Sequence, residues 1–251
     1  MKLNPPDNMP PERIIVFGNP GTGKSTAALS LARVTGGNVF VIDTDYSASY
    51  ARLLATEFND LANQVNVQVV SSDDWVGIIT AIRTAVDTAT AGDWIILDSI
   101  SPTWQALQTH YINIRHGNDF LDVFALAGKD ATRQTTDADM NWQAINAEYN
   151  KLYRAILSTP AHVLLTAEQD AIGDRDDKKL QQLYGTYGVK PKGQKALGHT
   201  THSVLWLKKN RSGEYVFTTV KDRGRDDVED MSITDFGKDY LMKIGGWRPA
   251  K

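Results

Sequence analysis

The sequence predicts an α/β fold with a mainly parallel central sheet. Two patterns carry this. Short apolar runs alternate with segments of helical period along most of the chain, and a glycine-rich loop joins the first run to the first helix. Composition agrees: 251 residues at 41% hydrophobic can bury a sizeable core, as one large domain or one domain with an extended insertion.

The first run, residues 14–17, is Ile-Ile-Val-Phe and reads as a buried strand. It is followed by Gly18-Asn19-Pro20-Gly21-Thr22-Gly23-Lys24-Ser25, and Thr26 begins a good helix former that extends to Ala32. The spacing G-x-x-x-x-G-K-[ST] between strand and helix is the phosphate-binding P-loop. Its glycines let the backbone turn tightly and bring N–H groups close to an anion. The helix after Gly23 offers free amides and a positive dipole end. Lys24 is expected to reach the β/γ-phosphates, and Ser25 to give its hydroxyl to Mg²⁺. Residues 18–26 are therefore expected to cradle a nucleoside triphosphate, with ATP and Mg²⁺ as cofactors.

The remaining elements follow in order. Residues 38–42 read as a strand, 47–58 as a helix and 65–70 as a strand. Trp75, Ile78, Ile79, Ile82, Ala85, Val86 and Ala89 recur at helical spacing. Residues 94–97 form an apolar strand that ends in Asp98, and a helix is expected after Pro102. Residues 116–137 are polar and without period, too long for an ordinary loop. Trp142, Ile145, Tyr149, Leu152 and Ile156 return to helical spacing, and residues 161–166 read as a strand. Residues 169–195 form a second polar, glycine-rich stretch. Residues 203–208 and 215–220 are expected to pair as a C-terminal hairpin across 210–213.

Asp98 at the end of a strand downstream of a P-loop is the pattern of the Walker B carboxylate, which holds the Mg²⁺ shell. The next residue is Ser99, where AAA+ motors usually carry a water-activating glutamate. The base must come from elsewhere. The strand at 38–42 runs into Asp43-Thr44-Asp45, and strand C-termini converge on the ligand crevice of a parallel sheet. Either carboxylate is a candidate to polarise water, and either is a candidate turn or cap former.

The net charge of −3 does not suggest a nucleic-acid binder, but its distribution does. Residues 57–98 hold seven acids against one base, Arg83, while residues 188–211 hold six Lys/Arg and no acid. Such asymmetry predicts a polyanion-binding face. Zero cysteines exclude disulfides and thiol metal sites. His199 and His202 have a metal-like spacing without an evident third ligand, and read as ordinary polar residues. No run is long enough to span a membrane, and the polar, proline-rich start does not read as a signal peptide. A cytoplasmic location is the expectation.

At this point the chain resembles the RecA family of recombinases. The stretch VIDTDYSASYARLLA resembles the family segment that carries the catalytic glutamate, with Asp45 at the glutamate's place. IILDSI resembles its Walker B strand, and GQKALGHTTHSVLWL the end of its second DNA-binding loop. Val220-Lys221-Asp222-Arg223 resembles the place of two cations that reach a neighbouring subunit's nucleotide. The resemblance covers residues 13–225 and is greatest to the small, core-only RecA-like proteins of phages, which are linked to single-strand annealing and recombination. For a phage protein the location would be the host cytoplasm.

The resemblance implies a RecA-like ATPase domain over 13–251, with residues 1–12 as a tail. It implies DNA-binding loops within 116–137 and 170–195. Lys190, Lys192 and Lys195 would neutralise phosphates, with Tyr184 or Tyr187 stacking on bases. Glu168 or Gln169 would sense the γ-phosphate, and Lys221 and Arg223 would complete a neighbour's site. The expected function is a DNA-stimulated ATPase that binds single-stranded DNA as a homo-oligomer, in a filament or ring. A single-strand-binding protein is a candidate partner. A ring motor or helicase loader, and a nucleotide-switched protein adaptor, are the alternatives. Asp45 is one methylene shorter than glutamate, and the family's separate polymerisation domains have no counterpart in this pattern.

Overall fold

Alternating side chains along β2 (Arg13–Gly18) set the architecture. Ile14 and Val16 face one apolar layer, and Ile15 and Phe17 face the other. A strand buried on both faces needs helices on both sides. The computed structural model describes residues 1–45, 49–62, 67–116, 142–174, 176–193 and 197–250.

After β1 (Leu3–Asn4) and β2, the chain forms α1 (Lys24–Val34), β3 (Val39–Asp43), α2 (Ser49–Ala55), α3 (Asn59–Ala62) and β4 (Val67–Ser71). Then come α4 (Trp75–Thr88), β5 (Trp94–Asp98), α5 (Ile100–His116), α6 (Trp142–Ser158) and β6 (His162–Ala171). The last part holds α7 (Lys178–Tyr184), β7 (Val189–Pro191), α8 (Leu197–Thr200), β8 (Ser203–Lys209), β9 (Tyr215–Asp222), β10 (Met231–Ser232), α9 (Phe236–Lys243) and β11 (Arg248–Pro249).

The main sheet runs in the order β10-β9-β8-β2-β6-β5-β3-β4. From β8 to β4 the neighbours are parallel, and β9 and β10 are antiparallel additions. The mainly parallel sheet and the C-terminal hairpin of β8 and β9 are thus as the sequence predicts. Helices α4, α5 and α6 cover the Ile15 face through Trp75, Ile78, Leu107, Ile145, Tyr149 and Ile156. Helices α1 and α9 cover the other through Ala28, Leu31, Phe236 and Tyr240. Asp74, Asp177 and Asp235 cap α4, α7 and α9 by accepting from backbone N–H groups three residues on.

Three expectations change. The helix predicted over 47–58 is shorter, covering Ser49–Ala55 as α2, and Phe58 is buried before a separate short helix, α3. The helix predicted after Pro102 begins at Ile100, because proline is tolerated in a first turn whose N–H groups have no intrahelical partner. The second polar stretch is not a plain loop. Its described part folds back as α7 and β7, and β7 pairs antiparallel with the end of β6. Its apolar anchors, Leu180 and Tyr184, are too sparse in sequence to announce a helix. The first polar stretch, 116–137, lies outside the described residues apart from His116.

The segment before β2 is joined to the chain's end: β1 pairs antiparallel with β11. Buried Glu12 accepts from Arg225 Nη2 at 2.5 Å and from Trp247 Nε1 at 3.1 Å, tying the same regions together. Among the described residues no helix is long and apolar enough to cross a membrane.

Candidate functional site at the strand C-termini

The P-loop runs from the end of β2 into α1. Gly18 must be glycine, because a Cβ there would lie 2.2 Å from the Leu207 carbonyl oxygen. Gly23, at the start of α1, has φ +89°, which only glycine adopts freely. The first amides of a helix have no intrahelical acceptor, so the start of α1 offers free N–H groups at the loop. The Lys24 ammonium lies over the loop, donating to the carbonyls of Gly18 at 3.0 Å and Asn19 at 3.1 Å. Burial lowers its pKa, while Asp98, Asp45 and Glu168 pull it back up.

Strand register brings the carboxylates together. Asp43 pairs with Asp98 across β3 and β5, and Glu168 pairs with Gly18 across β6 and β2. Asp98 is the centre. Ser25 Oγ donates to its Oδ2 at 2.6 Å, Tyr50 OH donates to the same oxygen at 2.7 Å, and Thr166 Oγ1 donates to Oδ1. The Asp98–Ser99 peptide is cis, and Thr44 braces it by accepting from Ser99 N at 2.9 Å.

Asp43 and Asp45 differ in role. Asp43 is 2% exposed; its carboxylate accepts from Asp45 N at 3.2 Å and Ser71 Oγ at 3.3 Å, which is a turn-forming arrangement. Asp45 stands at the rim. Its pKa is pushed up to about 6, first by partial burial and then by Asp98, Asp43 and Glu168, with Lys24 acting against them.

Beside the P-loop lies a cleft of about 790 Å³. It is lined by Gly21, Thr22, Gly23 and Thr26 of the loop and α1, by Arg33, Arg52 and Phe58, and by Tyr215, Ile233 and Thr234. That volume is within the range of roughly 300–1,000 Å³ usual for small-molecule sites.

The family model described as AAA domain matches residues 11–225. The chain belongs to the AAA domain family. No curated protein matches it. Among solved structures, the crystal structure of the RadB recombinase is similar, with 15% identity and a TM-score of 0.51 over 91% of this chain and 90% of that chain. At that identity the likeness is one of fold: this AAA domain has the RecA-like P-loop core.

The other sequence-predicted residues fall in separate places on the AAA domain. Glu168 accepts from Lys192 Nζ at 2.6 Å, and its charge acts on Lys24. Gln169 instead turns to Trp206, accepting from its Nε1 at 2.9 Å. Lys190, only 17% exposed, is paired with Asp176 at 2.5 Å, and Lys195 lies outside the described residues. Tyr184 is 1% exposed with its ring edge-on to Phe17, so it offers no face for a base. Tyr187 is partly buried against Trp206 and donates to the Thr219 carbonyl.

Lys221 and Arg223 lie away from their own P-loop. Lys221 pairs with Val204, itself level with Ile15, near the start of β2. Lys221 Nζ donates to the carbonyls of Gly198 at 2.7 Å, His199 at 3.3 Å and Thr201 at 2.5 Å, around α8. Arg223 Nη2 joins it on His199 O at 3.0 Å. Burial, then Arg223, lower the Lys221 pKa to about 8 against the pull of Asp222.

Sequence reasoning missed Tyr50, Thr166 and Ser101. Ser101 Oγ accepts from Glu168 N at 3.0 Å and donates to Lys192 O at 2.8 Å, linking the segment after Asp98 to the basic stretch. No motif marks these hydroxyls. Only the position of Thr166, two residues before Glu168 at a strand end, offered a signal.

Proposed function

We propose that this protein is a Mg²⁺-dependent ATPase that binds single-stranded DNA as a homo-oligomer in recombination or annealing, in the manner of the core-only phage RecA-like proteins. The observation that carries it is the Ser25–Asp98 pair beneath a complete P-loop. Ser25 Oγ as a ligand, with Asp98 behind it to hold the metal's shell, suits Mg²⁺, a hard cation that keeps several waters and needs few protein ligands. Bound there, Mg²⁺ would neutralise charge on the β- and γ-phosphates.

The chain's own residues supply the rest. The Ser25 proton is committed to Asp98, so the lone pairs of Oγ are left for the metal. Lys24 exchanges the Gly18 and Asn19 carbonyls for phosphate oxygens. Asp45, at the rim, orients the attacking water and takes up its proton. Glu168 reports the terminal phosphate through Lys192 and Ser101 to the basic stretch, where Lys190, Lys192 and Lys195 meet DNA. Lys221 and Arg223 act on a neighbouring subunit's nucleotide. Their place near the start of β2, with the P-loop at its far end, supports a role in trans. The similarity to a recombinase fold supports the assignment to DNA transactions.

The test is fluorescence anisotropy of a labelled single-stranded oligonucleotide with ATP, ADP or no nucleotide, with the same samples imaged. Tight, ATP-dependent binding with filaments or rings is expected. Binding that ignores nucleotide, by a monomer, overturns the reading and favours a protein adaptor.

A further inference from the structure

Tyr50 is 2% exposed and lies on α2, five residues after Asp45. Its ring packs in the apolar layer beneath α1, yet its hydroxyl leaves that layer to reach Asp98 Oδ2 at 2.7 Å. A carboxylate oxygen only accepts, so the buried phenol O–H is the donor of this bond. Asp98 Oδ2 therefore accepts two hydrogen bonds, from Ser25 and Tyr50, while Thr166 donates to Oδ1. A carboxylate oxygen has two lone-pair directions. With both filled on Oδ2, the carboxylate cannot turn without losing a charge-assisted bond.

From this we infer that Tyr50 is a positioning residue for the metal: it fixes Asp98 so that Ser25 Oγ presents its lone pairs to the cation. The inference rests on reading Ser25 and Asp98 as the metal pair. The Tyr50 bond also ties α2, whose Arg52 and Leu53 line the cleft beside the P-loop, to the end of β5. Cleft wall and metal carboxylate are thus joined by one hydroxyl. Partners that orient a metal-binding group commonly change metal affinity by roughly 10–100-fold when removed.

The test is a Mg²⁺ titration of the binding of a fluorescent ATP analogue, with metal-free affinity measured in a chelator. Tyr50→Phe keeps the ring, so its melting temperature and metal-free affinity should stay near wild type. Its Mg²⁺ midpoint should rise by about 10-fold. Asp98→Asn should raise the midpoint further, and adding Tyr50→Phe to it should change nothing more. Thr166→Val, on the other oxygen, should shift the midpoint the same way. A Tyr50→Phe midpoint at wild type while Asp98→Asn moves overturns the role of Tyr50 alone. An unmoved midpoint in Asp98→Asn overturns the metal reading beneath it.

Discussion

Lys221 and Lys24 stand towards opposite ends of the same sheet. Lys24 follows the C-terminal end of β2, whereas Lys221 is level with Ile15, near its start, and holds the carbonyls around α8. An ammonium so placed does not serve its own P-loop, and in the proposed assembly it would act on a neighbour's nucleotide.

That relation predicts complementation. Arg223→Ala and Lys24→Ala proteins should each be inactive alone. Mixed, they should recover part of the ATPase, because one face of each remains intact, as with an arginine finger supplied in trans. Full activity of Arg223→Ala alone, measured by phosphate release, contradicts the role.

Asp45 gives a pH prediction. Its pKa near 6 means that it is protonated below that value and cannot accept a proton from water. Turnover should fall as pH drops through about 6, and Asp45→Asn should be slow at all pH values while still binding ATP. If Asp43→Asn shows this behaviour instead, the catalytic carboxylate is Asp43.

Replacing Lys190, Lys192 and Lys195 together by Ala should weaken single-strand binding and flatten its salt dependence. Each lost phosphate contact should remove roughly 0.7 from the log–log slope. Basal ATPase should persist. Lys190 and Lys192 are paired with Asp176 and Glu168, so part of their charge must be released for DNA. An unchanged slope removes the basic stretch from the DNA site.

Stability should carry an acid limb from His162. This ring stacks on Trp94 at 4.9 Å, accepts from Glu12 N, and is held near pKa 4, chiefly by burial. An unfolded chain takes up that proton near pH 6.5. Between about 6.5 and 4 the unfolded state binds more protons, so stability falls as pH falls, by on the order of 3 kcal/mol. Urea unfolding at pH 7 and pH 4.5 should show a smaller acid loss for His162→Gln than for wild type. An equal loss in both contradicts this.

The sheet was legible because its signals are local. Ile14 to Phe17, Val39 to Ile42 and Trp94 to Leu97 are apolar runs, each followed by a residue type that a ligand crevice needs. The P-loop was legible because Gly18 and Gly23 meet backbone demands that no other residue meets. Tyr50 and Thr166 were not, since nothing in a tyrosine on a helix or a threonine in a strand reveals a distant carboxylate partner. The fold-back of α7 and β7 was hidden because its stability comes from Leu180 and Tyr184 packing on the body, not from helical period. Tyr184 looked like a base-stacking residue for the same reason: its burial is set by tertiary contacts.

The most direct test of the central claim is steady-state ATP turnover with Mg²⁺, with and without single-stranded DNA, for wild type and Lys24→Ala. The account predicts turnover that DNA raises several-fold, that grows faster than linearly with protein concentration, and that Lys24→Ala abolishes. Turnover retained in Lys24→Ala, or a wild-type rate that single-stranded DNA leaves unchanged, would contradict it.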